Sequence, residues 1–130
     1  MNSTFIIGKA ILLAILITIL LTSCANNDTD SYENQYLDIP DSSFEAILIK
    51  EGIDSDGILN QRMLRKDASQ VSVLDLNFSS EGVISDLTGI EGFVGLRKLS
   101  ATQQEITGID LTHNTLLDTL VLAGNYISII

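Results

Sequence analysis

The sequence contains few of the residues on which catalysis and metal binding commonly depend. It has one cysteine, one histidine and no tryptophan among 130 residues, and aromatic side chains make up only 5%. A single cysteine cannot form an intramolecular disulfide. No phosphate-binding loop or metal-ligand cluster is present in the sequence. His113 lies in the segment LTHNT without a nucleophile in a recognised motif nearby, and we therefore predict that the chain is not an enzyme and needs no cofactor.

Basic residues are also scarce. Lys and Arg number 7 against 17 Asp and Glu, which gives a formal net charge of −10. Binding to nucleic acid depends on clustered Lys and Arg side chains that neutralise phosphates. The charge balance therefore predicts that nucleic acid is not a partner.

Apolar residues are concentrated at the start of the chain, in MNSTFIIGKAILLAILITILLTSC. Lys9 precedes an uninterrupted apolar run over residues 10–21. A basic residue, a short apolar run and then small residues are typical of a secretory signal peptide. The run is shorter than the roughly 20 residues that a membrane-spanning helix needs, although a plain transmembrane anchor is the alternative interpretation.

The end of this segment, Leu21-Thr22-Ser23-Cys24, resembles the lipobox of bacterial lipoproteins. The resemblance implies that diacylglycerol is attached to the Cys24 sulfur and that the chain is cleaved after Ser23. Residues 1–23 are then a lipoprotein signal peptide. The protein is expected to be exported and anchored through the lipid on Cys24, in the outer membrane or at the cell surface. Residues 24–38 are polar and acidic, like the export signals of Bacteroidetes surface lipoproteins, and are predicted to form a disordered tether.

Residues 39–63 are predicted to form an N-terminal helical cap. Ser42 and Glu45 have the spacing of a capping box, with Asp41 as a competing N-cap. Gly52 is suitably placed to end the helix.

The Asp54-Ser55-Asp56-Gly57 turn that follows has part of the pattern of a calcium-binding loop. Such a loop requires a Glu at its twelfth position, but counting from Asp54 gives Arg65 and counting from Asp56 gives Asp67. We therefore interpret the segment as an Asp/Gly turn and predict no metal site. Asp54 and Asp56 are the candidate ligands under the calcium alternative.

The remainder, residues 64–130, contains a repeat. LRKLSATQQEITGI, from Leu96, aligns with LDTLVLAGNYISII, from Leu117, at an offset of 21 residues. The earlier segment fits the same frame, with Leu74 aligned to Leu99 and Leu120, if about three extra residues are placed around 79–82. Within these segments the apolar residues come at steps of about three, and neither a helix nor a simple strand keeps that spacing for so long.

The repeat resembles the L-x-x-L-x-L-x-x-N-x-L pattern of leucine-rich repeats, particularly those of bacterial internalin-type proteins. The segment before it resembles the flank of such repeats in Bacteroidetes lipoproteins. The resemblance implies an α/β solenoid of about three repeats, the last one incomplete, with parallel strands on a concave face. Gln104 departs from the pattern, because the aligned residue in the next repeat is Asn125.

In that family the concave face usually binds another protein. The outward-facing positions predicted here are Val73, Asp75, Asn77, Lys98, Ser100, Thr102, Thr119, Val121 and Ala123. We therefore expect a cell-envelope protein whose repeat face binds a protein or a cell-surface component, as an adhesion or recognition module. The alternatives are a structural or cryptic repeat fragment without its own ligand, or the N-terminal part of a larger secreted protein.

The printed sequence ends in LAGNYISII, where the repeat frame places Ile127 and Ile130 at inward positions. This ending predicts a truncated or incomplete array. Solenoids need polar capping segments at their ends. If the array has none, we expect the chain to self-associate through its last repeat.

Overall fold

The computed structural model describes residues 34–128. The predicted signal peptide, the lipidation residue Cys24, most of the predicted tether and the terminal Ile130 lie outside the described residues. The described elements, in chain order, are strand β1 (Tyr36–Asp38), helix α1 (Ser42–Lys50), strand β2 (Arg62–Leu64), helix α2 (Arg65–Ser69), strand β3 (Val73–Asp75), a 3₁₀ turn (Ile90–Gly92), strand β4 (Lys98–Ser100) and strand β5 (Thr119–Val121).

The first sheet is an antiparallel pair of β1 and β2, in which Leu37 lies opposite Met63. Both of these side chains are buried in the core, and the Arg62 guanidinium stacks 4.7 Å from the centre of the Tyr36 ring. The predicted disordered tether therefore does not extend to residue 38, because residues 36–38 form a strand. The acidic composition of the segment predicts disorder, although its one apolar aliphatic residue near the end, Leu37, is buried in the core.

Helix α1 begins at the N-cap Asp41, whose carboxylate accepts hydrogen bonds from the backbone amides of Ser43 and Phe44. Asp41, and not Ser42, thus caps the helix. Glu45 does not reach back to the helix start as a capping box requires, because its carboxylate accepts amides from a later loop. The helix ends near Gly52, which has a φ of +69°, as the sequence predicts for a glycine stop.

The second sheet is parallel, with strand order β3-β4-β5. Leu74 lies opposite Leu99, and Leu99 lies opposite Leu120. This is the register that the repeat alignment predicts. Successive side chains of a strand point to opposite faces, so the leucines share one face and their neighbours share the other.

The prediction of an α/β solenoid is wrong. The described chain is a small α/β fold with an antiparallel pair, a parallel group of three strands and two helices, and its coils do not close into a solenoid. Both helices precede β3, and the connections between the parallel strands contain only the 3₁₀ turn Ile90–Gly92. The repeated leucines specify the register of the parallel strands. A solenoid also needs each repeat to be packed on the side away from its strand, and the repeated leucines do not specify that packing.

The core lies between the parallel sheet and the N-terminal elements. Phe44 of α1 and Phe93, which follows the 3₁₀ turn, are fully buried with ring centres 6.3 Å apart. Gly92 is buried directly against Leu37 of β1, where an added Cβ would overlap the leucine side chain. The N-terminal segment therefore supplies part of the core that covers β3 and β4. Leu120 of β5 remains 45% exposed.

Candidate functional site

The nine residues predicted to face outward follow the register of the parallel sheet. Cross-strand partners form the rows Val73–Lys98–Thr119 and Asp75–Ser100–Val121. The third set, Asn77, Thr102 and Ala123, comes directly after the strands. We call these nine residues the open face. Val73 is 57% exposed and Val121 is 38% exposed, so the face presents apolar as well as polar side chains.

Three of the nine residues form an internal hydrogen-bond network. The Asn77 Oδ1 atom accepts the Ser100 hydroxyl at 2.9 Å, the Thr102 amide at 2.8 Å and the Thr102 hydroxyl at 2.6 Å. Ser100 is only 8% exposed as a result. These side chains hold the ends of β3 and β4 together. Because their polar groups are already paired with one another, they are less able to bind a ligand.

A groove lies beside the β3 end of the open face. It has a volume of about 350 Å³, and the residues that line it come from α1 and from the segment after β3: Ile47, Lys50, Glu51, Asp75, Asn77, Phe78, Ser79 and Ser80. Phe78 forms part of its wall and is 80% exposed. Lys50, which lines the groove, lies 3.4 Å from the carboxylate of Glu81, the residue after Ser80.

Phe78 is not among the residues predicted from the sequence, because it does not occupy an outward position on one of the predicted strands. The insertion around 79–82 could have indicated that Phe78 is exposed. Phe78 immediately precedes that insertion, where the repeat frame provides no buried position for it. Phe44 and Phe93, by contrast, are fully buried. Aromatic residues, including Phe, are enriched in the cores of protein interfaces, so an exposed phenylalanine beside a groove is a candidate contact residue.

Two amide side chains at equivalent repeat positions, the buried Gln104 and the partly buried Asn125, hydrogen-bond to the backbone. Gln104 donates from Nε2 to the Leu76 carbonyl at 2.7 Å and accepts the Ile84 amide at 2.8 Å. Asn125 does the same one repeat later, donating to the Ala101 carbonyl at 2.6 Å and accepting the Ile106 amide at 3.1 Å. The departure at Gln104 therefore preserves the hydrogen bonds. Its extra methylene makes the side chain longer, and both of its partners belong to the preceding repeat, which contains the insertion.

A group of carboxylates lies between α1 and the loop 54–62. Glu45 is fully buried and Asp54 is 3% exposed. Burial raises the pKa of Asp54, and the nearby charge of Asp56 raises it further. Asp56 itself is occupied, because its two oxygens accept the Ile58 amide and the Asn60 side-chain amide. Within residues 34–128, no group of three or more His, Cys, Asp or Glu side chains is arranged to hold a metal ion.

A second concavity, of about 180 Å³, is lined by Asp86, Glu91 and Asp110 together with apolar residues. Each of these carboxylates accepts a backbone amide within two residues of itself. Hydrogen bonds from the amide and hydroxyl of Thr112 lower the pKa of Asp110. These acids therefore stabilise turns. His113 is exposed, and its Nδ1 atom lies 3.3 Å from the Thr112 hydroxyl.

No protein-family model matches the sequence, and no curated protein matches it. The resemblance to bacterial lipoproteins and their repeats thus depends only on the residues quoted above. In the part of the chain that the structure describes, no helix has both the length and the apolar character to span a membrane.

Proposed function

We propose that the protein is a non-catalytic, lipid-anchored component of the bacterial cell envelope, which binds another protein or a cell-surface component. Binding would occur through the open face together with the Phe78 groove. The observation that supports this proposal is the exposure of Phe78, at 80%, on the wall of a groove that adjoins the face.

Covering an exposed phenylalanine with a partner surface makes the free energy of binding more favourable. Burial of apolar surface contributes roughly 25 cal/mol per Å², and aromatic side chains are frequent among the residues that dominate binding energies. Val73, in strand β3 of the open face, is also exposed. Asp75 and Lys98 provide charges of opposite sign on the face, and the Asn77 network limits the ordering cost of the surrounding strands.

The chain's charge of −10 narrows the class of partner. Like charges brought together across an interface are unfavourable, so an acidic chain associates more readily with a neutral or basic surface. The groove itself includes both Lys50 and Glu51. We therefore expect a polar partner surface with an apolar projection that packs against Phe78.

The test is capture of envelope proteins from the source cells by the full chain in a mild detergent, followed by titration of the purified partner. We expect Phe78→Ala to weaken binding by roughly tenfold to thirtyfold, the range of a central aromatic contact. Tyr126→Ala is the matched control, because Tyr126 is 67% exposed but does not line the groove. Equal losses in both variants would contradict the proposed site. Absence of any saturable partner at micromolar concentration would instead favour a structural role without a ligand.

The lipid anchor is tested separately, by incorporation of radiolabelled fatty acid into the chain in bacterial cells. Cys24→Ser is expected to abolish labelling, because the thiol is the group that accepts the lipid. Ser23→Ala should preserve labelling, since it keeps a small residue before the cysteine. Unchanged labelling of Cys24→Ser would eliminate the anchor from the proposal while leaving the binding surface untouched.

A further inference from the structure

Two buried carboxylates near the N-terminus of the described chain each have one oxygen without a hydrogen-bond partner. They are Glu45, whose Oε2 atom is unpaired, and Asp54, whose Oδ2 atom is unpaired. Within residues 34–128, these account for two of the three buried side-chain atoms that lack a partner. Buried charges are ordinarily paired, or they coordinate a metal.

The two side chains are held between α1 and the loop 54–62. The Glu45 Oε1 atom accepts the Asn60 amide at 2.8 Å and the Arg62 amide at 3.2 Å, which places this carboxylate beneath the end of the loop. Asp54 starts the loop, and its own amide donates to the Leu48 carbonyl at 3.1 Å, one helical turn after Glu45. The backbone thus fixes both carboxylates from opposite ends of the same loop.

The surroundings are negative. Asp56 and Asp67 lie close enough to act on Asp54 electrostatically. The nearest basic residue in sequence is Lys50, and the guanidinium of Arg62 in β2 lies over the Tyr36 ring. The one ion pair found within the described residues joins Lys50 to Glu81. A cation of charge +2 would neutralise the two buried carboxylates.

We infer that Glu45 and Asp54 bind a hard divalent cation, of which calcium is the best fit. Calcium takes six to eight oxygen ligands from carboxylates, backbone carbonyls and waters, in flexible geometry. In such a site Glu45 and Asp54 would supply the two carboxylates, and backbone carbonyls and water would have to complete the shell. Counting along the loop from Asp54 or Asp56 does not find this site, because Glu45 lies on the helix before the loop.

The experiment uses the full chain in a mild detergent, first treated with a chelator. The thermal-unfolding midpoint is followed while calcium chloride is added, and isothermal titration calorimetry measures direct binding. We expect one calcium per chain. At ten times its dissociation constant, calcium increases the ratio of folded to unfolded chain about tenfold, which raises the midpoint by roughly 6–11 °C in a domain of this size.

Two isosteric variants locate the site. Glu45→Gln and Asp54→Asn keep the shape of each side chain and its accepting oxygen, so circular dichroism should show that they remain folded. Both are expected to weaken calcium binding at least tenfold. Glu51→Gln is the control, because it makes the same charge change at an exposed position at the end of the same helix, and it should respond like the wild type.

A second measurement on the wild type does not depend on any variant. Calcium should slow hydrogen exchange at the amides of Asn60 and Arg62, but not at that of Thr112 in the other acidic concavity. The inference is overturned if calcium produces no saturable stabilisation, or if both variants respond like the wild type. It is also overturned if acidification alone stabilises the chain and calcium does not, since protons would then neutralise the pair.

Discussion

Asp41 is expected to contribute more to stability than any other exposed or half-buried side chain, because it connects two parts of the fold. Its Oδ1 atom accepts the amides of Ser43 and Phe44 at 3.0 and 3.1 Å, which caps α1. Its Oδ2 atom accepts the amides of Ser85 and Asp86 at 2.8 and 3.1 Å, and also the Ser85 hydroxyl at 3.1 Å. One carboxylate thus joins the start of the helix to a loop 44 residues later.

Replacing Asp41 by alanine removes both functions. Loss of an N-cap costs about 1 kcal/mol, and a hydrogen bond to a charged group contributes about 1.5–3 kcal/mol. The site is only half-buried, so water replaces part of what is lost. We therefore expect the free energy of unfolding to fall by about 2–4 kcal/mol in Asp41→Ala, measured by urea denaturation of the full chain at pH 7.

Two further variants separate these contributions. Asp41→Asn keeps a good N-cap, but it loses the charge and presents an amide donor to the donors of Ser85 and Asp86. The free energy of unfolding of Asp41→Asn should therefore lie between that of the wild type and that of Asp41→Ala. Ser42→Ala is the matched control, because the sequence suggests Ser42 as a cap while the structure gives the cap to Asp41. We expect this control to change stability by less than about 0.5 kcal/mol.

The contribution of Asp41 should depend on pH. Burial by itself would raise the pKa of its carboxyl, but the hydrogen bonds from Ser85, Phe44 and Asp86 outweigh burial and lower the pKa below its ordinary value. A carboxyl with a lowered folded-state pKa stabilises the fold fully above its unfolded pKa, and that stabilisation is lost as the pH falls through the folded value. The difference between wild type and Asp41→Ala should therefore narrow from pH 7 to about pH 2. An unchanged difference, or equal losses in Asp41→Ala and Ser42→Ala, would refute the reasoning.

Two other predictions concern the parallel sheet. Leu99→Ala should lower the free energy of unfolding by about 2–5 kcal/mol, because Leu99 is fully buried. Leu120→Ala, at the aligned position but 45% exposed, should cost less than half as much in the same denaturation assay, and equal costs would contradict the burial described here. Gln104→Ala should cost about 2–4 kcal/mol, since it leaves the Leu76 carbonyl and the Ile84 amide buried and unpaired. Hydrogen exchange at the Ile84 amide should accelerate in that variant, and unchanged exchange there would argue against the bond.

Much of the local structure follows from patterns in the sequence. The helix around Phe44 is predicted by the cap residues before it and by Gly52 after it, and the register of the parallel strands follows from the repeated leucines. Both patterns are local, because a helix cap and a strand's alternation act within a few residues. The face that carries Val73 and Lys98 could be identified for the same reason.

The candidate sites were less predictable. Phe78 was missed because its exposure depends on where the insertion after β3 leaves it. The pairing of Glu45 with Asp54 was missed because the two carboxylates belong to different elements, a helix and the loop that folds back over it. Asp41 was recognised as a cap, but its second set of partners lies 44 residues further along the chain.

The sequence by itself determined the positions of the three parallel strands and which residues of each share a face. Alternation along a strand and spacing between strands are local properties, so Leu74, Leu99 and Leu120 align as their pattern requires. Only the tertiary structure decided how deeply each of these leucines is buried and whether the repeats form a solenoid. Leu99 is fully enclosed and Leu120 is 45% exposed at equivalent positions. Burial depends on the neighbours on every side, and these come from distant parts of the chain that no repeat pattern specifies.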